Sequence, residues 1–188
     1  MLAGRSEPME RGHQERLAPM AAEVMAGADF AEVRKIVVTI GPGSFTGMRV
    51  GLAFARGLQL ATGAPLAGVG TLQALAASAK SAPGGTAAGV VDARRGLVYM
   101  QAFEAGRPLG EPDVLPIDEA ARALAALTDL TLVGPGALLL APELPRARID
   151  ARPAPDLATL GRLAEAAAPD ADLKPLYLRA PDARPMSV

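Results

Sequence analysis

The 188-residue chain contains no cysteine and no tryptophan, and only 3% of its residues are aromatic. Without cysteine it can form no disulfide, no thiolate nucleophile and no cysteine-ligated metal site, and this composition suits a reducing cytoplasm. The 50% of residues that are hydrophobic are therefore mostly small or aliphatic. Such side chains let backbones pack closely, which favours layers of helices and strands over a core of large aromatic rings.

An excess of positive charge is also missing. The 19 basic and 20 acidic residues leave a net charge of −1, and the isoelectric point is about 5.9. A surface dedicated to phosphates or nucleic acid normally shows a basic excess. The composition therefore argues against direct binding of nucleic acid as the main task of the chain.

Long hydrophobic runs are absent as well. The opening residues, MLAGRSEPMERGHQ, lack the apolar core of a signal peptide. The most apolar window, residues 50–69, is interrupted by Arg56, Gln59 and a turn at 63–65. This window falls short of a membrane span, so we expect no membrane insertion.

The chain does show an alternation of helical and strand patterns. Residues 11–26 carry apolar side chains at helical spacing, and KIVVTI (35–40) is continuously apolar, as in a buried strand. The same criteria predict further helices at 45–62, 71–80, 117–126 and 156–167, and a short one after 134–136. They predict strands at 65–69 and 130–133, a strand pair around the turn 94–96, and a proline-rich loop at 145–155. The glycine-rich segment 81–86 divides this pattern, so we predict two α/β lobes, residues 1–82 and 83–188.

The loop IGPGSFTG, which follows the strand at 35–40, resembles several phosphate-binding or catalytic loops but fits none. Gly41, Gly43 and Gly47 are spaced one residue too far for a dinucleotide fingerprint, and no lysine follows as in a Walker loop. Ser44 lacks the flanking glycines of a nucleophile elbow. Two interpretations stay open: an anion site at the helix N-terminus, formed by Gly41, Gly43, Ser44 and Thr46, or a tight turn with Ser44 or Thr46 as polar cap, which the sequence favours.

The helix after this loop carries two rows of small residues. Gly47, Gly51 and Ala55 lie four residues apart on one face, and Ala53, Gly57 and Ala61 mark an adjacent face. A glycine inside a helix costs roughly 1 kcal/mol relative to alanine, so its presence indicates close approach of another element. That element is either the chain's own sheet or a partner.

Four segments together resemble the TsaB (YeaZ) family: RSEPMERGHQERLAPM, IGPGSFTGMRVGLAFARGLQLATGAPLAGVGTLQALA, VVDARRGLVY and PLYLRAPDARP, in this order. The resemblance implies a fold of two ribonuclease-H-like lobes, as in actin-like ATPases. It also implies a non-catalytic, cytoplasmic subunit that pairs with the catalytic TsaD subunit and the ATPase TsaE. These proteins add a threonylcarbamoyl group to the adenosine beside the anticodon of certain tRNAs, and the tRNA would be contacted only indirectly.

The resemblance also implies where the partner binds. In the family, the two helices of the first lobe pack against the matching pair in TsaD, or in a second TsaB copy, as a four-helix bundle. The corresponding partner-binding residues here are His13, Arg16, Leu17, Met20, Val24, Gly47, Arg49, Val50, Gly51 and Phe54. For Arg49 the sequence leaves two roles open, a contact to a partner's carboxylate or a bound phosphate, and a solvated side chain.

TsaD-type catalysts hold a metal with a pair of histidines. Here His13 is the single histidine and Leu17 stands four residues later, so we expect no metal and no catalytic residue. Asp92 is expected to cap the turn at 94–96 or to form a salt bridge there. No cofactor of the chain's own is expected, and ATP or ADP at the interface with the partner is left open.

One departure from the family is evident. Its members begin with an apolar strand that ends in an Asp-Thr pair, followed by a second strand, and this sequence lacks both. The first lobe is therefore expected to be truncated, whether by an incorrect gene start or by a true absence. In the second case the strand at 35–40 would expose an unpaired edge, which predicts poor solubility or obligate association.

Three other functions compete with the subunit role. A glycoprotease-like peptidase would need a nucleophile or a metal site, and none is evident in the sequence. An ATPase would need phosphate loops that are degraded here. A chaperone or dimerising scaffold is not distinguished by the sequence.

Overall fold

The structure, a computed structural model, describes residues 3–7, 12–79 and 85–179. In these ranges the chain is a mixed α/β protein with two separate sheets. The helices are α1 (His13–Val24), α2 (Phe45–Thr62), α3 (Thr71–Ala77), α4 (Ile117–Leu124), α5 (Ala137–Leu140) and α6 (Leu157–Ala166), with a 3-10 turn at Phe30–Glu32. The strands are β1 (Ile36–Gly41), β2 (Leu66–Gly70), β3 (Thr86–Arg94), β4 (Leu97–Glu104), β5 (Arg107–Pro108), β6 (Asp113–Pro116), β7 (Thr131–Val133) and β8 (Arg148–Asp150).

The first sheet consists of β1 and β2, which run parallel with Ile36 beside Leu66. Helix α2 covers one face, where Ile36 and Leu66 pack with Leu52 and Ala55. Helix α3 also contacts both strands, and helix α6 contacts β2. Among the described strands, β1 pairs with β2 alone.

The second sheet has the strand order β5-β4-β3-β7-β8, and β6 also pairs with β4. The antiparallel β3–β4 hairpin turns at Arg94, Arg95 and Gly96, all with positive φ. Its core is aliphatic, with Val90, Val98 and Leu132 fully buried beneath α4 and α5. This agrees with the small, aromatic-poor composition of the sequence.

The short helix α3 joins the two sheets. It packs extensively on β3, where a Cβ on Gly89 would lie 2.8 Å from the carbonyl carbon of Leu72. Glycine at position 89 therefore allows the backbones of α3 and β3 to approach closely. The residues that follow α6 return to the first sheet, where the N–H of Asp170 donates to the carbonyl of Leu66 at 2.8 Å. The division of the chain into two lobes at residue 82 stays a prediction. Helix α3, which precedes this position, packs on β3, and residues that follow it bond to β2.

Most predicted helices and strands are present, with shifted ends. Helix α1 begins at His13 rather than residue 11, which lies outside the described residues, and α3 ends at Ala77 rather than residue 80. Strands β5, β6 and β8 were not predicted, and β8 lies inside the expected loop at 145–155. The reason is that Arg148 and Asp150 give β8 no apolar pattern, and its pairing with β7 defines it. Residues 81–84 of the predicted boundary lie outside the described residues.

Candidate partner-binding surface and cavity

The loop between β1 and α2 is a tightly held turn with a polar cap. Gly41 has a φ of +105°, and the Gly41–Pro42 peptide bond is cis. The Ser44 hydroxyl accepts a hydrogen bond from the N–H of Gly47 at 3.3 Å, so Ser44, rather than Thr46, caps α2. Gly41 and Pro42 are buried. This arrangement matches the capped-turn interpretation, and anion binding by Gly41, Gly43, Ser44 and Thr46 stays a prediction.

An arginine and two aromatic rings form a stack at the start of α2. The Arg49 guanidinium carbon lies 3.8 Å from the centroid of the Phe45 ring, and its Nε donates to the Tyr177 hydroxyl at 3.1 Å. The rings of Phe45 and Tyr177 are 5.2 Å apart. Arg49 is exposed and uses its Nε within the chain, and its two predicted roles, a partner contact and a solvated side chain, both stay predictions. The sequence analysis did not assign Tyr177 a role, because Tyr177 lies far from Phe45 in the sequence and no periodic pattern connects the two residues.

Beside this stack lies a cavity of about 370 Å³. Its walls come from residues 42–45 with Met48 of α2, from the end of β3 with Tyr99 of β4, and from residues 176–179. Asp92 in the β3 wall accepts a hydrogen bond from the N–H of Arg94 at 2.7 Å and pairs with its side chain at 3.4 Å. The expectation that Asp92 caps the hairpin turn is thus confirmed.

Arg16 of α1, a predicted partner-binding residue, is held within the chain. Its guanidinium contacts Glu7 at 2.6 Å and Glu23 at 2.8 Å, and Arg5 contacts Glu7 at 2.8 Å. Hydrogen bonds from Arg16, and then from Arg5, hold the pKa of Glu7 at about 2, well below its ordinary value. This cluster fixes the segment before α1 to the helix, and the sequence separation of nine residues between Glu7 and Arg16 gave no signal of it.

The predicted apolar stripe of α1 faces its own lobe. Leu17, Met20 and Val24 line an open groove of about 360 Å³ between α1 and the residues from Phe30 to Ile36. All three are half-buried. The side chain of His13 lies outside the described residues. Of the predicted partner-binding residues on α1, the apolar ones therefore contact this groove and Arg16 contacts carboxylates.

The two small-residue rows of α2 have different surroundings. Ala55 is buried, and a Cβ on Gly51 would lie 3.6 Å from Val38 of β1, so the row that includes Gly47 faces the first sheet. The second row is exposed, and a Cβ on Gly57 would meet no atom within 4 Å. We call this exposed surface the α2 outer face; it comprises Arg49, Ala53, Gly57, Leu60 and Ala61.

The α2 outer face is the most exposed apolar part of the helix. Leu60 is 88% exposed, more than any other large hydrophobic residue in the described ranges. Val50 and Phe54, both half-buried, flank this face. Sequence reasoning named Val50 and Phe54 but missed Leu60, although its place beside the second small-residue row was a usable signal.

Two further features of the described residues bear on function. No three histidine, aspartate or glutamate side chains in these ranges cluster as a metal site would require. In the same ranges, no helix combines the length and apolarity needed to cross a membrane.

Comparison with known proteins relates the chain to one enzyme family. The model of the TsaD family, described as tRNA N6-adenosine threonylcarbamoyltransferase, matches residues 7–166. The tRNA threonylcarbamoyladenosine biosynthesis protein TsaB of Escherichia coli K12 is 35% identical over 97 residues, which are 50% of this chain and 42% of that protein. The match thus spans less than half the length of that relative.

Longer matches come from two other proteins. A Mycobacterium tuberculosis H37Rv protein described as uncharacterized is 36% identical over 190 residues, covering 95% of this chain and 80% of that one. A Pseudomonas aeruginosa crystal structure, described as similar to peptidase YeaZ, superposes with a TM-score of 0.77 at 32% identity, covering 92% of this chain and 87% of that one.

Proposed function

The chain belongs to the TsaB (YeaZ) family, and we propose that it acts in tRNA threonylcarbamoyladenosine biosynthesis as a non-catalytic subunit that binds and supports a TsaD-type catalytic subunit. The similarity to the Escherichia coli protein TsaB and to the TsaD family supports this pathway. In this proposal the chain works in the cytoplasm, together with a TsaE-type ATPase, and contacts tRNA only through its partners.

The observation that carries the partner role is the α2 outer face. It is a helical surface of small residues, with one large apolar side chain, Leu60, that is 88% exposed. Small residues let a second helix approach closely, and a docked helix would also remove the Leu60 side chain from water. A helix of the TsaD-type subunit laid along Ala53, Gly57 and Ala61 would bury Leu60.

The test uses two matched glycine substitutions. In α2, Gly57→Leu adds a side chain that meets open space within the chain but would collide with a helix docked on the outer face. In α6, Gly161→Leu is the control, because Gly161 is also exposed inside a helix and also has open space around its Cβ position. We expect Gly57→Leu to weaken binding of the TsaD-type subunit at least tenfold in calorimetric titration, and Gly161→Leu to leave it unchanged. Equal affinities for both variants would contradict docking on this face.

The non-catalytic role has its own test. Threonylcarbamoylation of tRNA by a TsaD-type and a TsaE-type subunit with ATP should require this chain, while the chain alone should modify no tRNA. The proposal places ATP or ADP at the interface with the partner, so nucleotide should bind the complex more tightly than the isolated chain. Hydrolysis of a peptide by the chain alone, abolished by Ser44→Ala, would instead favour the peptidase function.

A further inference from the structure

The cavity between the α2 loop and β3 gathers rings from an aromatic-poor chain. Both tyrosines, Tyr99 and Tyr177, and one of the four phenylalanines, Phe45, line it. Tyr177 is 42% exposed, and Phe45 and Tyr99 are half-buried. These rings therefore keep surface that an apolar or aromatic group can cover, and the volume of about 370 Å³ is that of a small-ligand pocket.

The charges around this cavity are mostly positive. Among the described residues that line it, Arg94 and Arg179 are basic and Asp92 is the one acid. Arg49 adds a third guanidinium, whose carbon lies 6.0 Å from the centroid of the Tyr177 ring. Because the whole chain has a net charge of −1, this excess of positive charge is local, and it favours an anionic occupant.

Asp92 does not offset this preference, because its carboxylate is already engaged. One oxygen accepts a hydrogen bond from the N–H of Arg94 at 2.7 Å, and the other lies 3.4 Å from the Arg94 guanidinium. The Arg94 side chain is nevertheless 84% exposed. A guanidinium has five N–H donors, so Arg94 keeps donors for an acceptor from outside the chain.

On the α2 side, Arg49 and Tyr177 also offer donors. The Nε of Arg49 donates to the Tyr177 hydroxyl at 3.1 Å, and within the described ranges its two terminal nitrogens have no hydrogen-bond partner. The hydroxyl accepts this bond and keeps its own proton to donate. The aromatic cavity thus has donors for anionic groups on two walls, at Arg49 on α2 and at Arg94 on the β3–β4 hairpin.

We propose that this cavity binds a short acidic peptide segment of a partner protein. An aromatic side chain of the segment enters the cavity and packs on the three rings, and carboxylates on either side of it pair with Arg49 and Arg94. Guanidinium–carboxylate pairs are charge-assisted and can be bidentate, so they fix the register of the segment. The proposal does not rest on the docking of a TsaD-type subunit, which is assigned to the α2 outer face.

Single-stranded RNA also combines negative charge with rings that stack on aromatic side chains. It suits this site less well, because surfaces that bind a phosphate chain carry a basic excess along their length. Here the net charge of the chain is −1, and Asp92 stands in the cavity wall. A peptide needs positive charge only where its carboxylates lie.

The absence of tryptophan gives a direct test, because the fluorescence of a tryptophan in a synthetic peptide is then observed without tryptophan background from the chain. We expect the emission of the peptide EDWDE to shift to shorter wavelength on titration with the full chain, as its indole leaves water. The uncharged peptide QNWNQ should bind at least about tenfold more weakly, and salt should weaken the binding of EDWDE. No shift with about 1 mM chain, or equal affinities of the two peptides, would overturn the proposal.

Two arginine variants locate the binding. Arg94→Gln removes a charge from the cavity and should raise the dissociation constant of EDWDE about tenfold. Arg122→Gln is the matched control, since Arg122 on α4 is also paired with an aspartate and is 72% exposed, and it should change nothing. Circular dichroism checks that both variants fold, and Arg49→Gln takes the place of Arg94→Gln if that variant does not. Equal effects of the cavity variant and the control would refute binding in the cavity, as would a loss caused by Gly57→Leu alone.

Competition distinguishes the peptide from RNA. An oligouridylate of about ten nucleotides should bind the chain more weakly than EDWDE and should not displace it at equal concentration. Tighter binding of the oligouridylate, weakened by Arg94→Gln, would assign the cavity to RNA and overturn the proposal.

Discussion

The guanidinium of Arg49 lies over the ring of Phe45, one helical turn before it, with 3.8 Å between the guanidinium carbon and the ring centroid. The same side chain donates to the Tyr177 hydroxyl, which belongs to the C-terminal segment of the described chain. One residue therefore ties the beginning of α2 to a segment 128 positions away. This contact closes one side of the cavity between the α2 loop and β3.

Replacing Arg49 by alanine should lower the free energy of unfolding by about 1 kcal/mol, since an exposed cation–π contact and one hydrogen bond are lost together. Urea denaturation measures this change. A suitable control is Arg122→Ala, which removes an exposed pair with Asp118 on α4 and should cost less than about 0.5 kcal/mol. Equal losses would mean that the stack contributes nothing beyond a surface ion pair.

Gly89→Ala should destabilise the chain by roughly 1–3 kcal/mol, because its Cβ would collide with the backbone of Leu72 where α3 packs on β3. By contrast, Gly57→Ala should stabilise it by about 1 kcal/mol, since the new methyl group meets open space in the middle of a helix. Thermal unfolding of both variants checks the opposite signs. A stabilised Gly89→Ala variant would show that α3 does not approach β3 as closely as described.

The pKa of Glu7 is lowered to about 2 by Arg16 and Arg5, so its contribution to stability has a defined pH range. A carboxyl whose pKa is depressed on folding stabilises the folded state above its ordinary pKa of 4.5, and this stabilisation is lost as the pH falls toward 2. The difference in stability between the wild type and Glu7→Gln should therefore shrink as the pH is lowered from 5 to 2. A difference that is constant over this range would contradict the cluster; Glu111→Gln, on an exposed loop, serves as the control.

Asp156 caps α6, where its carboxylate accepts hydrogen bonds from the N–H and the hydroxyl of Thr159, each at 2.8 Å. These bonds, the backbone one first, lower the pKa of Asp156. Asp156→Ala should cost about 1 kcal/mol, while Asp156→Asn keeps a capping oxygen and should cost a few tenths. Chemical denaturation of the two variants distinguishes the loss of the cap from the loss of charge, and equal costs would assign the effect to charge.

The sequence located the elements whose signals are local. Helix α2 follows from a capping serine at position 44, an apolar interior and a terminating glycine at 63, whose φ is indeed +72°. Strand β1 follows from its unbroken apolar run. Asp92 was assigned to the hairpin turn because only neighbouring residues are involved.

Long-range relationships were not predictable in this way. The pattern of small residues on α2 could not say which row faces the chain's own sheet, and the structure turns Gly51 toward Val38 and leaves Gly57 exposed. The pairing of Arg16 with Glu7 was not predicted, because it depends on the path of the chain before α1, and the partner contact predicted for Arg16 stays a prediction. Strand β8 was not predicted either, because its backbone pairing with β7, and not its own residue pattern, makes this segment a strand.

The sequence by itself therefore determined the mixed α/β character and the main helices and strands, because hydrophobic period and capping residues act over a few positions, and the resemblance of four segments indicated the family. The tertiary structure alone decided which faces stay exposed and that Tyr177 meets Arg49. Those outcomes depend on which distant segments pack against each other in the folded chain, and the spacing of residues along the sequence does not specify such contacts.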